Sequence, residues 1–303
     1  MGQAQREAHM DVSNTVDVSD PTAVARAVVS ILEKRYAGFD FSRVDQLVMD
    51  FSRLYAGTFP GFRACDIKYH DTQHVLDVTL AMARLLDGHD NKHRGEEHLG
   101  PELALAGIAA ALFHDSGYIR RTRDTRHKNG AAYTRVHISR GARFMSEYLP
   151  SVGMADLVGI CTRIIHFTGY EVDPRDIEVS DSNEGRLGAL LGTADLIAQM
   201  ADVNYLEKCH DYLYQEFVEG GMAGEHGFCT NTGTIYRSPQ HLLESTPGFM
   251  EAAINRRLDG YFASVHYFAA DHFDGQHLYM DAIQDNYSRL QAVLSGGGGM
   301  RFA

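Results

Sequence analysis

Four cysteines in 303 residues, Cys65, Cys161, Cys209 and Cys229, are too few and too scattered for a disulfide framework, and none has a partner at CxxC spacing. Reduced thiols in a cytoplasmic protein are the expectation. Basic residues are also short: 28 Lys and Arg stand against 40 Asp and Glu, a net charge of -12. Nucleic-acid polymers and anionic membranes repel such a surface, so neither is expected as a partner. Long apolar runs are missing as well. The longest, Leu103 to Phe113, is too short to span a bilayer, and the start MGQAQREAHMDVSN lacks the apolar stretch of a secretion signal. There is no long period-2 alternation to suggest strands and no internal repeat.

What is present is an ordinary globular composition, 44% hydrophobic and 22% charged, in a chain long enough to bury a sizeable core. Asp20 followed by Pro21 is a helix start, and Val24, Val28, Ile31 and Leu32 recur behind it at helical spacing. Similar patterns predict helices at about 41–56, 71–87, 101–114, 137–149, 153–167, 186–218, 247–270 and 276–294. Loops are expected at 89–100, 119–132 and 170–182, and a long one at 219–248. The expected fold is an all-α bundle. Residues 1–18 read as a flexible tail, 19–218 as the main helical domain, 219–295 as a C-terminal helical extension of it, and 296–303 as a second flexible tail.

Sixteen histidines are the unusual entry, and imidazole is a frequent metal ligand. Four His-Asp dipeptides occur, at 70–71, 89–90, 114–115 and 210–211. Only His114-Asp115 closes an apolar run, LALAGIAAALF, which reads as a buried helix delivering a polar pair into the interior. A buried carboxylate is costly unless paired, and a metal ion is one partner that offsets the cost. A helix C-cap pair is the plainer alternative. Upstream, YHDTQH sets His70 and His74 four residues apart, on one helix face. Downstream, His137, His166 and Asp195 fall in separate predicted helices: VHISRGARFM, TRIIHFTGYE and LGTADLIAQM. Each is otherwise a core or locally satisfied polar group.

The order His74, His114-Asp115, Asp195 resembles the H…HD…D signature of the HD-domain metal-dependent phosphohydrolases, over roughly residues 65 to 205. YHDTQHVLDV is similar to the YHNxxH element of the eukaryotic-type cyclic nucleotide phosphodiesterases, with Asp71 in place of Asn. HISRG and HFTGYE are similar to the HPxxG and HHE elements of the HD-GYP cyclic dinucleotide phosphodiesterases; His166 is single, no GYP triplet follows, and HDSGY lacks the Lys of HDxGK.

The resemblance implies an HD-domain bundle and, position by position, a ligand set of His74, His114, Asp115, His137, His166 and Asp195 for two divalent ions drawn from Fe, Mn, Mg, Ni or Zn. It implies Asp115 as the bridging, catalytic carboxylate and His70 as general acid. Independently, ligands from five helices resemble metal sites in bundle cores, and six ligands for two ions leave positions for water and substrate. The expected function is hydrolysis of a small-molecule phosphoester, a nucleotide and foremost a cyclic one, by a hydroxide bridging the ions. The alternatives are an HD-type di-iron oxygenase with the same ligand order and a non-enzymatic nucleotide sensor. Arg120, Arg121, Arg123, Arg126 and Lys128 form a basic loop after the metal pair; Arg120 and Arg121 are expected to bind substrate phosphate, a solvated loop being the alternative. No feature fixes the oligomeric state.

Overall fold

A computed structural model describes residues 6–224 and 236–296. Four of its helices begin where an N-cap side chain satisfies one of their first amide groups. The Asp20 carboxylate accepts from Thr22 N at 2.9 Å to start α1 (Pro21–Arg35). Asp71 accepts from His74 N at 2.9 Å to start α3 (Thr72–Lys92), and Asp181 caps α7 (Ser182–Ala201). Between them run α2 (Ser42–Tyr55), α4 (Gly100–Phe113), α5 (His137–Tyr148) and α6 (Val158–Ile164). The chain continues through α8 (Tyr205–Lys208), α9 (Tyr214–Glu219), α10 (Pro239–Ala252), α11 (Tyr267–His272) and α12 (Leu278–Leu294). Among the described residues there are only isolated β-bridges and no strand, so the fold is all-α. No described helix is long and apolar enough to cross a membrane.

The centre is α3 packed against α1, α4, α7 and α11. Residues Ala104 to Phe113 of α4 are all buried, as an apolar helix with no polar face requires. Contact between α3 and α11 is so close that a Cβ at Gly88 would lie 1.8 Å from the Phe268 carbonyl oxygen. Only a residue without a side chain fits there.

Several expectations are corrected. The N-terminal tail is folded from Arg6 onward. Asp11 is fully buried, accepts from Ser13, Thr15 and Val16 amides, and pairs with the buried Arg84 at 2.5 Å. Burial alone would raise the Asp11 carboxyl; Arg84 and these hydrogen bonds bring it down to about 2. Helix α3 runs on to Lys92, through the expected loop, because His89 and Asp90 are buried and hydrogen-bonded. The long helix expected over 186–218 breaks after Ala201, where Asp202 turns the chain and pairs with Lys208 at 2.6 Å. Two π-helical stretches, Cys209–Leu213 and Ala253–Tyr261, interrupt the α pattern of the C-terminal part. Part of the expected 219–248 loop is helical, since Ser238 caps α10; Cys229 and the remainder at 225–235, like most of the 296–303 tail, lie outside the described residues.

Candidate metal centre

Two helices deliver the first three ligands to one point. His74 sits in the first turn of α3, its backbone fixed by the Asp71 cap. His114 and Asp115 follow the last residue of α4, so the apolar helix sets their depth; they are 1% and 2% exposed. Ligand atoms of His74, His114 and Asp115 lie within 4.8 Å of one another.

Two further expected residues approach this cluster. Asp195 of α7 brings Oδ1 to 3.4 Å from His74 Nε2 and 3.8 Å from His114 Nε2. His137, the first residue of α5, has Nε2 3.8 Å from Asp115 Oδ1. His166 lies on the single turn Ile165–Phe167 and makes no ion pair among the described residues; its Nδ1 is buried without a hydrogen-bond partner. The structure thus gathers five of the six expected ligands, and His166 makes no ion pair with them among the described residues.

The hydrogen bonds orient the imidazoles. His114 Nδ1–H donates to the Ala111 carbonyl at 2.8 Å and His137 Nδ1–H to the Thr134 carbonyl at 2.7 Å. Each Nε2 therefore faces Asp115, as in ligating histidines whose other nitrogen is held by a carbonyl. His114 Nε2 and Asp115 Oδ2, 3.2 Å apart, are both buried without a hydrogen-bond partner. Orphaned buried polar atoms are rare, and a cation between them would satisfy both. The chemistry of the donor set thus fits a divalent ion. Burial disfavours a charged His114, but the carboxylates of Asp115 and Asp195 outweigh it and push the imidazolium up to about 9. Burial opposes ionisation of Asp115 too, and His114, His70 and His74 hold it far below the usual carboxylate range. At His137 and His166 burial prevails and lowers the pKa.

Beside the cluster, His70 Nδ1 meets Glu216 Oε2 at 2.8 Å. Glu216 comes from α9, is 5% exposed, and its Oε1 accepts from the amides of Lys68 and Tyr69 at 2.9 and 2.5 Å. The His70 ring lies 5.9 Å from that of His74. Burial lowers the His70 pKa, yet Asp115 and Glu216 raise it above the ordinary value. Glu216 carries no motif, and 146 residues separate it from His70, so no sequence signal marks it.

The basic loop is corrected. Arg120 is buried, bonded through Nη2 to Asp66 at 2.7 Å and through Nη1 to the His127 carbonyl at 2.6 Å. Arg121 pairs with Glu147 and lies over the Phe62 ring at 4.3 Å. Arg120 is thus engaged on every side within the fold, whereas Arg121 is half exposed and holds Glu147 through one nitrogen alone; neither makes an ion pair with the cluster.

A family model described as Npun_R2479-like matches residues 56–267 and so encloses every residue of the cluster. No curated protein matches the chain.

Proposed function

The chain belongs to the Npun_R2479-like family, and from the chemistry of its buried cluster we propose that it is a metal-dependent phosphohydrolase acting on a small phosphoester, a nucleotide in the first instance. The observation that carries this is the convergence of His74, His114 and Asp115 within 4.8 Å, with His114 Nε2 and Asp115 Oδ2 buried and unpartnered. His74, His114, Asp115 and Asp195 would hold the first divalent ion, and His137 with Asp115 a second, with His166 a candidate for it. Bound cations would supply Lewis-acid stabilisation of phosphoryl oxygens and a nucleophilic water at neutral pH.

The chain's own residues do the rest. His70 is held by Glu216 through Nδ1, which turns its Nε2 edge away from that carboxylate; protonated, it donates the Nε2 proton to the leaving oxygen. Glu216, fixed by two backbone amides, holds the Nδ1 edge of the ring in place. An acid–carboxylate pair beside a metal cluster suits ester cleavage, and it favours hydrolysis over the di-iron oxygenase and sensor alternatives.

The test is elemental analysis of anaerobically purified protein together with turnover of phosphomonoesters, cyclic nucleotides and cyclic dinucleotides. We expect bound divalent metal and hydrolysis of one of these classes. His70→Ala keeps its metal and loses about 10²–10⁴-fold in turnover of an alkyl ester, with a much smaller loss for a nitrophenyl ester, which needs no acid. Metal-loaded wild-type protein inert toward the whole panel would overturn the proposal.

A further inference from the structure

Tyr118 stacks on both His70 and His137. Its centroid lies 4.6 Å from that of His70 with 21° between planes, and 4.4 Å from that of His137 with 20° between planes. These are the short separations of stacked aromatic pairs. The two imidazoles, 6.3 Å apart and tilted by 38° to each other, are thus each packed on one shared ring.

The spacer is itself fixed. Tyr118 is 2% exposed. Its neighbour His137 is held in turn by the Thr134 carbonyl, which receives Nδ1–H. One residue before Tyr118, a Cβ at Gly117 would lie 1.8 Å from the His137 carbonyl oxygen, so the turn carrying Tyr118 is pressed onto the start of α5.

Each histidine is held along one edge only, His70 by Glu216 and His137 by Thr134. A single hydrogen bond to one ring nitrogen leaves the ring able to rock about that contact. A flat partner on the ring face removes the motion, and Tyr118 supplies one face to each histidine at once. It also belongs with Ile67 and Ala131 to a small cluster apart from the main core, so its packing role is modest.

We propose that Tyr118 is a positioning residue, an aromatic spacer that fixes the ring planes of His70 and His137 relative to each other beside Asp115. The inference rests on the roles given to the two histidines above, and its test separates the two ideas. Protein labelled with ¹⁵N at histidine is recorded in long-range ¹H–¹⁵N spectra with and without Zn²⁺, for the wild type, Tyr118→Phe and Tyr118→Leu. Tyr118→Phe keeps the stacked ring signals of His70 and His137. Tyr118→Leu shifts and broadens both while His114 keeps its signals, and Zn²⁺ affinity falls about 10–100-fold, as loss of an outer partner of a ligand does. Tyr118→Met, of similar flexibility to a gap-filler but without a flat face, carries the same expectation should the leucine variant not fold. Wild-type His70 and His137 signals in the folded Leu or Met variant overturn the spacer. Failure of the wild type to take up Zn²⁺ counts against the metal reading, and the ring signals then decide the spacer by themselves.

Discussion

At the scale of single residues, two His-Asp dipeptides show how hydrogen bonding separates a fully satisfied carboxylate from one with an unpartnered oxygen. Asp90 is fully buried and accepts from Tyr36 Oη at 2.8 Å, His89 Nδ1 at 2.7 Å, Leu99 N at 3.0 Å and Gly100 N at 2.9 Å. Asp115, equally deep, has an oxygen with no hydrogen-bond partner. The first ties the end of α3 to the start of α4, and the second offers itself to a cation. Burial alone would raise the Asp90 carboxyl; His89, the two amides and Tyr36 bring it down to about 2. A depressed carboxyl stabilises the fold above the unfolded-state value of about 4, and the contribution disappears as pH falls from there through about 2. Asp90→Asn should therefore lower stability by roughly 2 kcal/mol at neutral pH. Denaturant melts of both proteins from pH 7 to pH 2 check this: the gap should close across the acid limb, and a pH-independent gap contradicts it.

At the scale of elements, the C-terminal part reaches the site through a buried arginine. Arg257, on the π-helical stretch Ala253–Tyr261, donates from Nη2 to the Phe167 carbonyl at 2.7 Å and the Gly169 carbonyl at 3.1 Å, and lies over the Tyr170 ring at 4.4 Å. Those carbonyls follow His166 directly. From the same turn, Glu171 crosses to α5 and accepts from Ile138 N at 2.7 Å, capping the helix that begins with His137. The turn thus joins two of the expected ligands, and its neighbours are 88 to 90 residues away in Arg257. Arg257→Met strands both carbonyls and should cost about 2–4 kcal/mol. It should also weaken metal uptake by the purified protein, measured by elemental analysis beside calorimetry. A variant with wild-type melting temperature and metal content would remove Arg257 from this role.

At the scale of the molecule, the main hydrophobic cluster runs from Val18 to Leu290, so the described part of 219–295 shares a core with the rest. Helix α11 packs on α3, and α12 packs on α7. No apolar face separates the extension from the bundle, and we expect one cooperative thermal transition, coincident in far-ultraviolet and tyrosine near-ultraviolet circular dichroism. Two resolved transitions would show that the extension unfolds independently.

The sequence by itself determined the helical class, the starts of α1 to α5 and α12, and the choice of His114-Asp115 among the His-Asp pairs. These are local matters: a 3.6-residue period, a cap such as Asp20-Pro21 or Asp71, and an apolar run whose end must lie inside. His74, His137 and Asp195 were marked by the resemblance of their motifs to the HD-domain signature, which is itself a matter of local sequence. The breaks escaped it, since a π-helical stretch has no period that differs visibly from the α pattern around it. Only the tertiary structure decided which charges meet. Arg120 looked free until Asp66, 54 residues away, was brought to it, and His70 gained Glu216 from a helix with no motif. Such pairings depend on how helices cross and how deeply they pack, and no spacing along the chain encodes either.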